Sequence, residues 1–102
     1  MKNLTNEILA KAAKAVADKA NELNKNERYE YKTSADASIK GKTLSGYTEV
    51  EFREEITICG LSHEESIIVV FTDYGSALSV KDGSMSLLHL QWFIEAAAKE
   101  ME

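Results

Sequence analysis

The chain has 102 residues, 44% of them hydrophobic and 28% charged, with a net charge of −5. That is the make-up of one ordinary globular domain, and it excludes a disordered or fibrous chain. Cys59 is the only cysteine, which excludes an internal disulfide, and the longest unbroken apolar run, residues 67–71, is far too short to span a bilayer.

The first residues, Met1-Lys2-Asn3-Leu4-Thr5-Asn6, lead into no apolar segment, so a cytoplasmic protein is expected. From residue 4 to 23 the apolar positions Leu9, Ala12 or Ala13, Val16, Ala20 and Leu23 recur at three and four residues, the spacing of an amphipathic helix. Thr5 is placed to cap it, with Leu4 and Leu9 positioned as a hydrophobic staple. Asn24-Lys25-Asn26 tolerates its end. A stripe made largely of alanine lets this helix lie close against a flat surface.

From Tyr29 the period becomes two. Tyr29, Tyr31, Thr33, Ala35, Ala37 and Ile39 share one side, and Glu30, Lys32, Ser34, Asp36, Ser38 and Lys40 the other. This predicts a half-buried strand, although residues 34–38 are small and polar enough for a loop. A turn over 41–46 precedes a second strand over 47–59, with Val50, Phe52, Ile56 and Ile58 inward and Glu49, Glu51, Arg53, Glu55 and Thr57 outward. Glu54 falls on the inward side, where a bulge, or the passage of the strand beyond its helix cover, is expected.

Residues 60–63 read as a hairpin loop, 65–73 as the next strand, 74–76 as a turn and 77–81 as a short last strand ended by Asp82-Gly83. Ser84 or Ser86 caps a closing helix whose apolar stripe is Leu87, Leu90, Phe93 or Ile94, Ala97 and Met101. There is no proline and no internal repeat. The reading is therefore a single α+β domain over 1–102: an N-terminal helix, a four-stranded antiparallel meander and a C-terminal helix, both helices on one face of the sheet. The run Ile67-Ile68-Val69-Val70-Phe71 is apolar toward both faces, so either Ile67, Val69 and Phe71 or Ile68, Val70 and Thr72 face away from the helices. A bare apolar face is uncommon on a monomer, and a homo-oligomer is expected on that ground.

Charge is unevenly spread. Residues 1–46 carry nine Lys and Arg against six Asp and Glu, residues 47–65 one against six, and residues 66–102 two against five. The middle segment is the acidic one, and it repels nucleic acid and attracts basic surfaces.

No catalytic or cofactor chemistry stands out. Cys59 and His63 lie close across a turn but lack an orienting group and oxyanion donors. Cys59, His63 and Glu64 lack the paired spacing of zinc modules. The glycines are isolated in turns, so there is no phosphate loop. Glu54-Glu55 and Glu64-Glu65 are neighbours on strands, so each pair splits between faces. Tyr29 and Tyr31 with nearby lysines suggest base stacking, but Lys32 and Lys40 face away from them and the chain is acidic. His89, one turn before Trp92, reads as a surface or interface histidine, and Trp92 lies off the apolar stripe as an interface residue does. No catalytic residue, metal or cofactor is assigned, and no membrane or nucleic-acid partner is expected.

In its organisation, small, acidic, cysteine-poor and without catalytic motifs, the chain resembles the inhibitors and regulators made by phages and mobile elements and the toxin-neutralising immunity proteins. This likeness of class implies a non-enzymatic protein that occupies a partner. The residues expected to meet a basic partner surface are Glu49, Glu51, Arg53, Glu55, Glu64 and Glu65. The alternative is a homo-oligomeric binder of a small anionic ligand, its pocket between subunits over the uncovered sheet face and lined by Tyr47, His89, Trp92 and Arg28.

Overall fold

The computed structural model describes residues 3–72 and 75–102, apart from the side chains at positions 82 and 84. Its elements are α1 (Asn6–Leu23), β1 (Tyr31–Lys42), β2 (Thr48–Ile58), β3 (Leu61–Phe71), β4 (Ala77–Ser84) and α2 (Leu87–Glu100). The strands form one antiparallel sheet in the order β1-β2-β3-β4, the meander expected from the hairpin spacing. Both helices pack on one of its faces.

Helix α1 starts where the Thr5 hydroxyl accepts the Ile8 N–H at 3.2 Å. It ends at Asn24, whose side-chain amide donates to the Ala20 carbonyl at 2.7 Å. Its buried face is Ile8, Leu9, Ala12, Ala13, Val16, Ala17 and Ala20. Leu23, expected in the stripe, is 63% exposed because the helix ends as it passes the sheet. Small side chains on both elements bring α1 close to β1, and there its polar residues grip the strand. The Asn21 amide donates to the Thr33 carbonyl at 2.9 Å and accepts the Thr33 N–H at 2.8 Å. Asn6 accepts the N–H of Ile39 at 2.8 Å. The spacing fits: fifteen residues of helix and six of strand each cover roughly 20 Å. With both ends tied, residues 34–38 pair throughout as strand rather than loop.

The core closes around Phe93 of α2. Its ring stacks on Phe52 of β2 at 4.2 Å between centroids and meets Phe71 of β3 edge-on at 6.1 Å. Each such pair adds about 0.5–1.5 kcal/mol beyond the area it buries. Leu90, Phe93, Ala97 and Met101 form the buried stripe of α2, whereas Leu87, expected with them, is 79% exposed.

Several boundaries differ from the sequence reading. The connection between β2 and β3 is only the two residues Cys59-Gly60, with φ of 52° and 82°. Both left-handed values belong to a type I′ turn, whose twist suits a tight hairpin, so β3 begins at Leu61. Strand β4 runs through the expected stop, and Gly83 pairs with Ile67. Its φ is 100°, and a Cβ there would lie 2.2 Å from the Ser66 carbonyl oxygen, so glycine here admits a neighbouring backbone and does not end the strand. Ser86 stands at the N-cap of α2 without a side-chain bond. Part of the turn expected at 74–76 lies outside the described residues.

At Glu54 there is no bulge: the register runs unbroken from Thr48 to Ile58. The strand does pass beyond its cover after that point, leaving Ile58 43% exposed. On the far face of the sheet lie Ile68 and Val70. Val70 is nonetheless only 7% exposed. Lys81 of β4 reaches across β3 to Glu49 of β2, 2.8 Å apart, and the two stems roof the Val70 row. Val70 is thus covered within the chain, while Ile68 beside it is only partly buried.

Candidate functional site

Alternation places Glu49, Glu51, Arg53 and Glu55 of β2 on the face away from the helices, with Glu64 beside them on β3. Glu65 points to the helix side, where its carboxylate meets His63 Nε2 at 3.1 Å. The six residues expected to act together, five acids and Arg53, are therefore split five to one between the faces. They are also not equally free. Glu49 holds Lys81, while Glu51 is shared by Lys40 at 3.6 Å and Arg53 at 3.5 Å, and Arg53 also reaches Asp36 at 3.6 Å.

Glu55 and Glu64 stand apart from this lattice. They are direct cross-strand partners, and neither has a cation among the described residues. In a two-residue hairpin closed by the Ile58/Leu61 pair, hydrogen-bonded and non-hydrogen-bonded pairs alternate, which puts Glu55/Glu64 in a non-hydrogen-bonded position. Side chains come closest there, with Cβ atoms about 4.5–5.5 Å apart. Ser34 completes the row on β1. A shallow groove of about 450 Å³ runs beside it, its lining including Ser34, Asp36, Arg53, Glu55 and Glu64. Two opposed carboxylates with no cation of their own can take up a cation from outside.

No family model, curated protein or solved structure matches this chain.

The opposite face of the sheet holds an arrangement that the sequence did not reveal. Glu54 is 1% exposed, and both of its carboxylate oxygens lie within 2.9 Å of His89 Nδ1. A carboxylate only accepts, so Nδ1 donates and fixes the ring. His89 stacks on Trp92 at 5.0 Å, and Lys19 of α1 lies over the indole at 4.4 Å. Burial pushes the Glu54 carboxyl above its ordinary value, the bond and charge of His89 pull it back, and Glu65 adds a further push upward. His89 thus ties α2 to β2 within the chain, and its side chain is only 15% exposed. The inward position of Glu54 was the one available signal, and it named no partner.

Within one chain the residues expected to line an intersubunit pocket are not brought together. His89 and Trp92 lie on the helix side and are engaged within the chain. Arg28 precedes β1 and Tyr47 follows it, so a strand of about 36 Å separates them. Cys59 sits in the turn, and His63 bonds Glu65 instead of the thiol. Among the described residues, no three His, Cys, Asp or Glu side chains are grouped to hold a metal ion, and no helix is long and apolar enough to cross a membrane. A second depression of about 320 Å³ lies between the helices, lined by Ala15, Val16, Lys19, Trp92, Glu95, Ala96 and Lys99.

Proposed function

We propose that this chain is a non-enzymatic binding protein, an inhibitor or regulator that occupies a basic surface of a partner protein through Glu55, Glu64 and the groove beside them. One observation carries the reading: Glu55 and Glu64 oppose each other directly with no cation among the described residues, while Glu49 and Glu51 on the same face are neutralised. Like charges set opposite each other weaken a sheet, and an incoming Lys or Arg relieves the repulsion. Association steered this way is fast at low salt and weakens as salt rises.

The test is affinity capture from cell extract with wild-type and Glu55→Gln/Glu64→Gln baits side by side. A protein held by the first and lost from the second, with retention falling as salt rises, is the expected result. Identical retained sets, including two empty ones, refute the reading.

A small anionic ligand is the second reading, moved from a subunit boundary to the depression between α1 and α2. It rests on Lys19 and Lys99, which flank Trp92 and have no ion-pair partner among the described residues. Trp92 is the only tryptophan, so quenching of its fluorescence by 1-naphthoate but not by 1-naphthalenemethanol reports on that depression alone.

A further inference from the structure

The two long sides of the sheet are finished differently. On β1 the outward main-chain groups are those of the odd-numbered residues. Side chains meet several of them: Asn21 takes both groups of Thr33, Asp36 accepts the Ala37 N–H at 2.9 Å and Asn6 accepts that of Ile39. That is how an edge strand is kept from pairing with other chains.

On the opposite side, β4 covers β3 only as far as the Ser66/Ser84 pair, while β3 begins at Leu61. Residues 61–65 therefore form an edge about 16 Å long with no strand beside it. Because Ile58/Leu61 is the hydrogen-bonded closing pair, Leu61, His63 and Glu65 bond toward β2, and the N–H and C=O of Ser62 and Glu64 point outward. No described residue bonds to those groups. The flanking side chains are Ser62 and Glu64 on one face, and on the other the 79%-exposed Leu61, His63 and Glu65, the last two in contact at 3.1 Å.

We infer that residues 61–65 of β3 are a strand-addition site for an extended segment of the partner protein in which basic and apolar residues alternate. This rests on the reading above, since Glu55 and Glu64 supply the charge that selects the segment. Main-chain bonds to Ser62 and Glu64 hold the incoming strand in line with β4. One set of its alternate side chains lies beside Glu64, with Glu55 one strand further in and within reach of a long basic side chain, and the other set beside Leu61, His63 and Glu65. Glu64 and Glu55, which have no cation among the described residues, reject an acidic strand, and the exposed leucine on the other face gives the apolar set a contact.

The probe is a synthetic pentapeptide of alternating lysine and valine with blocked ends, titrated into ¹⁵N-labelled protein at physiological salt. Saturable shifts confined to residues 61–65, with slowed amide exchange at Ser62 and Glu64, are expected, and no such response to the matching glutamate–valine peptide. Ser62→Pro removes one outward donor at an edge position where proline is tolerated, and binding should weaken about tenfold, the effect of one lost main-chain bond. If Ser62→Pro binds like wild type while Glu55→Gln/Glu64→Gln does not, the strand-addition site is refuted and the acidic surface survives. If neither variant matters, or no saturable shift develops at millimolar peptide, strand addition is refuted. The exchange measurement uses the wild-type chain, so the test stands even if Ser62→Pro fails to fold.

Discussion

Replacing His89 with Phe keeps a flat ring against Trp92 while removing the partner of a carboxylate whose side chain is fully buried. Leaving one member of a buried pair alone costs about 3–5 kcal/mol. A domain of this size has roughly 5–15 kcal/mol in total. The variant should therefore fold, with a large shift in its urea midpoint at neutral pH. The pH dependence then separates lost charge pairing from lost packing. In the variant Glu54 no longer feels the two effects that pull its pKa down, and only burial and Glu65, which both raise it, remain. A carboxyl raised in the folded state favours folding while protonated, and that contribution is lost as pH rises above its ordinary value of 4.5. The deficit relative to wild type should thus be largest near neutrality and shrink as pH falls below that value. The double variant Glu54→Leu/His89→Phe removes the buried charge altogether and should recover most of the loss. A deficit below about 1 kcal/mol, the same deficit at both ends of the pH range, or a double variant no better than the single one would refute the assignment of this pair as the anchor of α2.

Four further outcomes follow from single features of the fold. Asn21→Ala removes two bonds to Thr33 and should cost about 1–3 kcal/mol in urea unfolding, with concentration-dependent association as the β1 edge opens. The Thr33 hydroxyl is buried without a partner among the described residues, so Thr33→Val should raise stability by about 1 kcal/mol in the same assay. Cys59 has a positive φ, and Cys59→Asn should raise the melting temperature by the equivalent of about 0.5–1 kcal/mol, whereas Cys59→Val should lower it. Glu55→Gln/Glu64→Gln should stabilise the fold by a few tenths of a kcal/mol after solvent screening, an effect that fades in high salt, while partner retention is lost.

Features governed by local rules were legible in the sequence. The period of α1, its Thr5 cap and its Asn24 end involve residues within one turn of each other. Alternation needs only one strand, and it already showed that Glu54 and Glu55 on β2, and Glu64 and Glu65 on β3, part to opposite faces. What depends on register was not legible. Lys81 is the extra residue of β4 at the shift between the Ile68/Asp82 and Val69/Val80 pairs, and from there it reaches Glu49, thirty-two residues away in sequence. Cys59 read as the end of the second strand and Gly60 as the start of a four-residue loop, because the αL cysteine carries none of the usual Asn-Gly signal. Gly83 looked like a strand end because its role, close approach to the Ser66 carbonyl, depends on a neighbouring strand. Glu54 was visible as a break in pattern, but His89 became its partner only once α2 was laid along β2.

The two unusual features of the sheet fall on the same end of it, and that coincidence bears on function. A chain shaped for solubility alone has no reason to set Glu55 against Glu64 when Lys32 and Lys40 lie on the same face and Arg53 is one row away. It also has means of closing an edge, since it spends Asn6, Asn21 and Asp36 on β1. Yet the outward main chain of Ser62 and Glu64 is left open beside the unneutralised pair. Repulsion between the carboxylates and unpaired backbone both weaken the isolated chain, and one incoming segment that is extended and basic relieves both. A small ion answers only the first and a neutral strand only the second, which is why the occupant we propose for this end of the sheet is a basic extended segment of a protein.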